Sequence, residues 1–389
     1  MKKFLIIILA IIAIILFSYY LYYEGIFEKK IELNLSYSIP LETSPPELNL
    51  KSITDIKDAF RYLINKSQKS IYIAGLYFTS KINWRIRRDL KRAIKRGVKI
   101  KFLLQDSDFS RNELRKLHIT KYPNVEVQFI NIAPLGQKKW GQFHNKYAIF
   151  DKKYAIVGSA NFSYPAFNHN VEIDALIVDK DIVYQLTQIF FQDLRYGKYK
   201  IFPIIKPAYF NFSNLILRPI FLAESAPREI NIPELPDISD VIEFLLKNAK
   251  KEVVLEVYAF TSNKINYPLF YRLMCSAIKK NITIKLLINS ECYEKNKYVK
   301  FAIDELKKLG IKIKKLKIKE ITNAEYSAMH SKVLIVDKKY VLLGSSNWTK
   351  SGMLENREIA IVSSQTQFVY PLYKKFYKDW NSKFSEIIQ

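Results

Sequence analysis

An eighteen-residue pattern, HNKYAIFDKKYAIVGSAN at His144–Asn161, returns 186 residues later as HSKVLIVDKKYVLLGSSN at His330–Asn347. Both copies read H-x-K-x4-D-x6-G-S-x-N, and each has a further acid eleven residues past its asparagine, Glu172 and Glu358. A repeat of this complexity restricts the chain to folds made of two equivalent halves. Within each copy, residues i and i+2 of a strand share a face. His144 therefore projects with Lys146, and His330 with Lys332. An apolar run, an Asp-Lys-Lys turn and a second apolar run predict a β-hairpin. The hairpin returns Ser159 and Asn161 to the side of His144 and Lys146, and Ser345 and Asn347 to the side of His330 and Lys332. Gly158 and Gly344, just before the serines, are expected to let the backbone approach a ligand closely.

Each copy supplies an imidazole, an ammonium, a hydroxyl and a carboxamide. This set suits a phosphate, whose non-bridging oxygens take charge-assisted hydrogen bonds. Two copies meeting in one site offer two imidazoles to one phosphorus, one as nucleophile and one to protonate the leaving oxygen. Glu172 and Glu358 are suited to fix the histidine tautomers. The chemistry requires no cofactor and no metal, because two lysines and two asparagines can stabilise the developing charge.

The doubled H-x-K-x4-D motif with its trailing G-S-x-N resembles the signature of the phospholipase D superfamily, and the match is complete in both halves. The resemblance implies that His144 is the nucleophile forming a phosphohistidine and His330 the general acid and then base, although the two roles are exchangeable. It implies that Lys146, Lys332, Asn161 and Asn347 bind phosphate, helped by Ser159 and Ser345. It also implies that the trailing acid of one half supports the histidine of the other, pairing Glu172 with His330 and Glu358 with His144. Asp151 and Asp337 lie at the far end of the strand and are expected to brace the hairpin.

A net charge of +25 and a pI near 9.6 fit an anionic partner without naming one. A chain rich in Ile, Lys, Tyr and Asn would reach such a charge from composition alone. Two cysteines, Cys275 and Cys292, exclude a disulfide framework and a zinc site. Cys275 reads as a buried helical thiol, with a single Cys275–Cys292 bridge as the alternative.

Residues 4–23 carry no charge and are long enough to span a bilayer, with four tyrosines at the far interface. They read as an uncleaved signal anchor rather than a cleaved leader. Lys2 and Lys3 then form a cytoplasmic tail, residues 1–3, and the catalytic region lies outside the cytoplasm. Residues 24–50 read as a stem, 51–200 as the first half, 201–236 as a proline-rich linker and 237–389 as the second half. Helix and strand patterns recur at offsets of 182, 184 and 186 residues. The expected fold is two similar phospholipase D-like α/β lobes with mixed β-sheets related by a pseudo-two-fold axis, preceded by an N-terminal transmembrane helix. Two motifs in one chain make a monomer sufficient. His118 reads as a surface residue and His169 as a loop histidine. Trp140 and Gln142, just before His144, are placed either to contact substrate or to pack in the strand.

Fold does not fix substrate, and the resemblance spans three activities. The first, and the one preferred from the sequence, is a membrane-anchored hydrolase of phospholipids, because the apolar segment would hold the site close to a bilayer. The second is a nuclease, which the basic charge favours. The third is a cardiolipin synthase-like phosphatidyl transferase, which usually has two N-terminal spans where this chain shows one.

Overall fold

In a computed structural model of the protein, residues 36–40, 55–132, 141–199, 219–227, 230, 232, 235–325 and 327–388 are described. The apolar segment 4–23, Trp140 and most of the expected linker lie outside them. Among the described residues no helix is long and apolar enough to cross a membrane.

The first half runs β1 (Ser36–Pro40), α1 (Ile56–Lys66), β2 (Ser70–Gly75), α2 (Trp84–Lys95), β3 (Lys99–Gln105), α3 (Asp108–Lys116) and β4 (Val125–Ile130). It continues with β5 (Lys146–Phe150), β6 (Tyr154–Gly158), α4 (Tyr164–Asn168), β7 (Glu172–Ile177) and α5 (Lys180–Tyr199). The second half begins with β8 (Ile220–Ser225), α6 (Ile238–Asn248), β9 (Glu252–Val257), α7 (Leu269–Lys279) and β10 (Thr283–Asn289). Then come α8 (Ser290–Lys295), α9 (Lys297–Lys307), β11 (Lys312–Leu316), α10 (Ile318–Thr322), β12 (Lys332–Val336) and β13 (Tyr340–Gly344). It ends with α11 (Lys350–Leu354), β14 (Glu358–Ser363), α12 (Thr366–Trp380) and β15 (Ser385–Ile387).

The two sheets are mixed. The first has the order β1-β7-β6-β5-β2-β3-β4 and the second β15-β11-β10-β9-β12-β13-β14-β8. Six strands of each correspond in order. The remaining strands are additions at sheet edges. β1 comes from residues expected to form a stem and pairs parallel with β7. β8 comes from the expected linker and pairs antiparallel with β14. β15 pairs with β11.

The motif strands are buried on both faces, as α/β sheets require. In β5, Ala148 and Phe150 join the core under α1 and α2, where the Phe60 ring stands edge-on to Phe150 at 5.6 Å. The opposite face is covered by α5, whose Phe190 stacks on Tyr72 at 5.2 Å. The second half has its own core under α6, α7 and α9. The halves meet where β6 and β7 pack against β13 and β14. This brings the ends of the two motif hairpins together.

Candidate active site

The hairpin geometry begins at the motif aspartate. Asp151 and Lys152 have φ of +53° and +56°, and Asp337 and Lys338 have +53° and +54°. Two successive positive φ values make the tight turn that matches strand twist, and aspartate tolerates them well. The Asp151 carboxylate accepts from the backbone N–H groups of Gln68, Lys69 and Ser70 at 2.9, 2.8 and 2.8 Å. Asp337 does the same for Lys250, Lys251 and Glu252 at 2.8, 2.7 and 2.9 Å. Each aspartate ties its hairpin to the start of the neighbouring strand, at the end remote from the histidine.

Gly158 and Gly344 serve their neighbours in the sheet rather than a ligand. A Cβ on Gly158 would lie 2.3 Å from the Ile173 carbonyl oxygen and 2.1 Å from an Asp174 carboxylate oxygen. On Gly344 it would lie 2.5 Å from the Ile359 carbonyl oxygen. The close approach expected from sequence is therefore to β7 and β14.

At the other end of the hairpins the halves cross. His144 Nδ1 lies 2.8 and 2.9 Å from the two Glu358 oxygens, and His330 Nδ1 lies 3.0 Å from Glu172 Oε2. The backbone repeats the exchange: His144 N donates to Arg357 O at 3.0 Å and His330 N to Val171 O at 2.8 Å. Each histidine is thus held by the two residues that open the other half's acid-bearing strand. Lys146 Nζ donates to His144 O at 2.8 Å, and Lys332 Nζ to His330 O.

Ser159 Oγ donates to Glu172 Oε2 at 2.6 Å and accepts from Ile173 N. Its hydroxyl is committed to the glutamate. Ser345 Oγ accepts from Ile359 N at 3.2 Å. Asn161 and Asn347 each keep a buried Oδ1 with no hydrogen-bond partner among the described residues. Gln142 is exposed and uses its backbone: it donates to Asn356 Oδ1 and accepts from Arg357 N. His118 is exposed, and the His169 ring packs on Tyr164 at 5.2 Å. Cys275 and Cys292 are free, half-buried thiols. Among the described residues no group of three or more His, Cys, Asp or Glu side chains is placed to hold a metal ion.

Two residues that the sequence reading passed over complete the arrangement. Asn170 Nδ2 donates to Glu172 Oε1 at 2.9 Å while its Oδ1 accepts from Ala328 N at 3.0 Å. Asn356 Nδ2 donates to Glu358 Oε1 at 3.0 Å while its Oδ1 accepts from Gln142 N at 3.0 Å. Each asparagine orients the acid of its own half and grips the chain leading to the other half's histidine. The signal was available as N-x-E, repeated at the motif offset in Asn170-Val171-Glu172 and Asn356-Arg357-Glu358.

Burial governs the electrostatics. It pushes the His330 imidazole down to about 4, with Lys332 adding and Glu172 opposing. It also lowers His144, against the pull of Glu358. It brings Lys332 down to about 7 and Lys146 down to about 8, partly offset by the two glutamates. For Glu172 and Glu358 burial acts upward, but the adjacent histidine and lysines outweigh it and hold both below the usual carboxylate range. At neutral pH the site therefore holds neutral imidazoles against ionised carboxylates. An Nδ1–H donated to glutamate leaves Nε2 with a free lone pair.

Comparison with known proteins agrees with this geometry. The family described as "Cardiolipin synthase, PLD-like domain" matches twice, at residues 60–194 and 242–380. The virion nicking-joining enzyme of Vaccinia virus (strain Copenhagen) is 24% identical over 84% of this chain and 83% of its own length. Phospholipase D Z of Dictyostelium discoideum is 23% identical over 88% of this chain and 89% of its own. The crystal structure of phosphatidylserine synthase from Haemophilus influenzae Rd KW20 shares the fold, with a TM-score of 0.63 at 12% identity over 91% of this chain and 90% of that one. With the family matched in both halves, the chain belongs to the phospholipase D superfamily, as a phosphodiester-acting enzyme carrying two PLD-like domains.

Proposed function

We propose that the protein cleaves phosphodiesters in two displacements at phosphorus, through a phosphohistidine on His144. The observation that carries this is the crossed pairing of buried His144 and half-buried His330 with two buried glutamates at one seam. In the first step the His144 Nε2 lone pair forms the N–P bond, the P–O bond to the leaving group breaks, and a proton on His330 Nε2 passes to that oxygen. In the second, His330 takes a proton from water, the water oxygen attacks phosphorus and the N–P bond breaks. Lys146, Lys332, Asn161 and Asn347 hold the non-bridging oxygens throughout. Glu358 directs both oxygens at His144 and takes one further hydrogen bond, from Asn356, whereas Glu172 is shared among His330, Ser159 and Asn170. The less divided carboxylate makes His144 the better nucleophile. Binding of an anionic diester beside His330 raises its pKa and supplies the acid the first step needs.

The substrate class we favour is polynucleotide, because the described surface of the first half carries a concentrated arginine-rich helix, α2. Phospholipid is the second reading, and the apolar segment 4–23 favours it by holding the site beside a bilayer, with the catalytic region outside the cytoplasm. A transfer reaction in which an alcohol replaces water would use the same intermediate.

The deciding experiment offers single-stranded DNA and phosphatidylcholine vesicles side by side, in excess EDTA, to the parent, His144→Asn and His330→Asn proteins. The parent is expected to cleave DNA. His144→Asn abolishes turnover, and His330→Asn slows it and accumulates labelled phosphoenzyme on acid quenching. Full turnover by His144→Asn overturns the two-histidine mechanism, and headgroup release alone overturns the polynucleotide reading.

A further inference from the structure

We propose that the outer face of α2 is a docking track for the backbone of a single-stranded polynucleotide, leading to the seam between the halves. This rests on the polynucleotide reading of the site and adds where the strand lies.

The cations of α2 are ordered. Trp84, Arg88 and Arg92 are spaced by four residues, as are Arg87, Lys91 and Lys95, so they form two adjacent rows along the helix. Within each row neighbouring cations stand about 6 Å apart along the axis, four residues at about 1.5 Å each, a step comparable to that between neighbouring phosphates of an extended strand. Lys91, Arg92 and Lys95 are exposed, and Arg87 and Arg88 are half-buried. The only acid in the helix, Asp89, is buried, bound to Arg61 at 2.8 Å and 3.9 Å from both Arg88 and Arg92. Arg87, Lys91 and Lys95 have no acidic partner among the described residues.

Composition does not explain this. The chain is lysine-rich, yet five of its thirteen arginines lie between residues 85 and 96. Arginine presents a planar fork that matches phosphate oxygens in pairs. The duplicated half provides an internal control: the corresponding helix α7, LFYRLMCSAIK, carries only Arg272 and Lys279. Two copies with a shared origin, only one of them loaded with cations, indicate a surface used on one side.

The position of α2 gives the track a direction. β2 ends at Gly75, which pairs with Lys146 in the sheet. The chain then passes through residues 76–83 into Trp84, so the helix starts at the catalytic edge and runs away from it. At that start the Arg88 guanidinium lies 4.7 Å from the Trp84 ring centroid. A cation beside an indole is suited to stacking bases while tracking phosphates. On the same edge Tyr77 and Phe109, the latter 53% exposed, meet edge-on at 5.3 Å. An anionic bilayer is the less suitable partner. Surface-lying helices pair their cations with apolar residues that enter the lipid, and no exposed large hydrophobic residue lies on α2.

The test measures binding with turnover switched off. The full-length His144→Asn protein in neutral detergent is titrated into labelled oligothymidine, followed by fluorescence anisotropy over a salt series. Arg87→Ala/Lys91→Ala/Lys95→Ala in that background is expected to weaken binding about tenfold or more at low salt and to reduce the log–log salt slope by about 2. Arg272→Ala/Lys279→Ala leaves both unchanged. Thermal melts matched by circular dichroism show that the variants are folded. Parent-like affinity and slope in the triple variant overturn the track, as does an equal loss in the α7 variant. The track is also overturned if binding to phosphatidylglycerol vesicles falls in the triple variant while oligothymidine binding does not. If the triple variant loses oligothymidine binding but the parent cleaves no polynucleotide, the track stands and the substrate reading fails.

Discussion

The two motif lysines combine full burial with the phosphate-binding task proposed for them, and in that role their protonation sets an upper pH limit for the site. Burial brings Lys332 down to about 7 and Lys146 down to about 8, so each is cationic below that value and neutral above it. A diester monoanion does not titrate in this range. KM for bis(4-nitrophenyl) phosphate is therefore expected to rise severalfold between pH 6.5 and 8.5, whereas an ordinary lysine would give a flat profile to about pH 10. A flat KM to pH 9 would contradict the burial argument. At this scale the sequence disclosed every motif residue, because their chemistry recurs at fixed spacing. It did not disclose what Ser159 and Gly158 touch. Their partners, Glu172 and Ile173, sit on β7, and only the strand order shows that the serine faces the glutamate and the glycine the next backbone. Asn170 and Asn356 were missed for a different reason: an asparagine in a loop reads as turn chemistry until its two contacts are seen together.

The hairpin is the element that delivers these residues, and its anchor is the motif aspartate. Replacing Asp151 by alanine strips a charged acceptor from three backbone N–H groups and leaves a positive φ without aspartate's local support. The expected cost is about 1.5–3 kcal/mol of stability, read as a lower urea midpoint, with kcat per folded molecule nearly unchanged because the site lies at the far end of the strand. A selective loss of kcat at unchanged stability would instead place Asp151 in the chemistry. Strands β2 to β7 and their second-half equivalents were legible from apolar runs and offsets. β1, β8 and β15 were not. They are edge strands from segments read as stem, linker and the end of the second half, and their ladder partners lie far away in sequence. Periodicity within a segment carries no information about such a partner.

Across the whole molecule the halves are joined by a buried charge. Arg357, fully buried, lies 3.2 Å from Asp193 of α5 and contacts Glu224 of β8. Its carbonyl receives the His144 N–H. One side chain thus ties an element of the first half to two of the second, directly beside the His144–Glu358 pair. Burial raises both carboxylates, Glu224 up to about 7, even with Arg357 opposing. Arg357→Met leaves two buried acids without a counter-charge and is expected to cost about 3–5 kcal/mol at pH 7. Their folded pKa values then stand further above the unfolded ones. The penalty is full above the folded values and shrinks as pH falls through them, because both acids can take up protons. Urea melts at pH 7 and pH 5 test this, and an equal deficit at both would refute it. The sequence implied two lobes and a shared site, but not this tie, since arginine before the trailing acid occurs in only one copy.

The crossing of the halves also has a consequence for timing. His144 is made 214 residues before its carboxylate, Glu358. His330 in turn waits for a partner made long before it, Glu172. No nascent chain that stops short of Glu358 holds both crossed pairs, so the arrangement proposed to be active is completed only after residue 358 has been made.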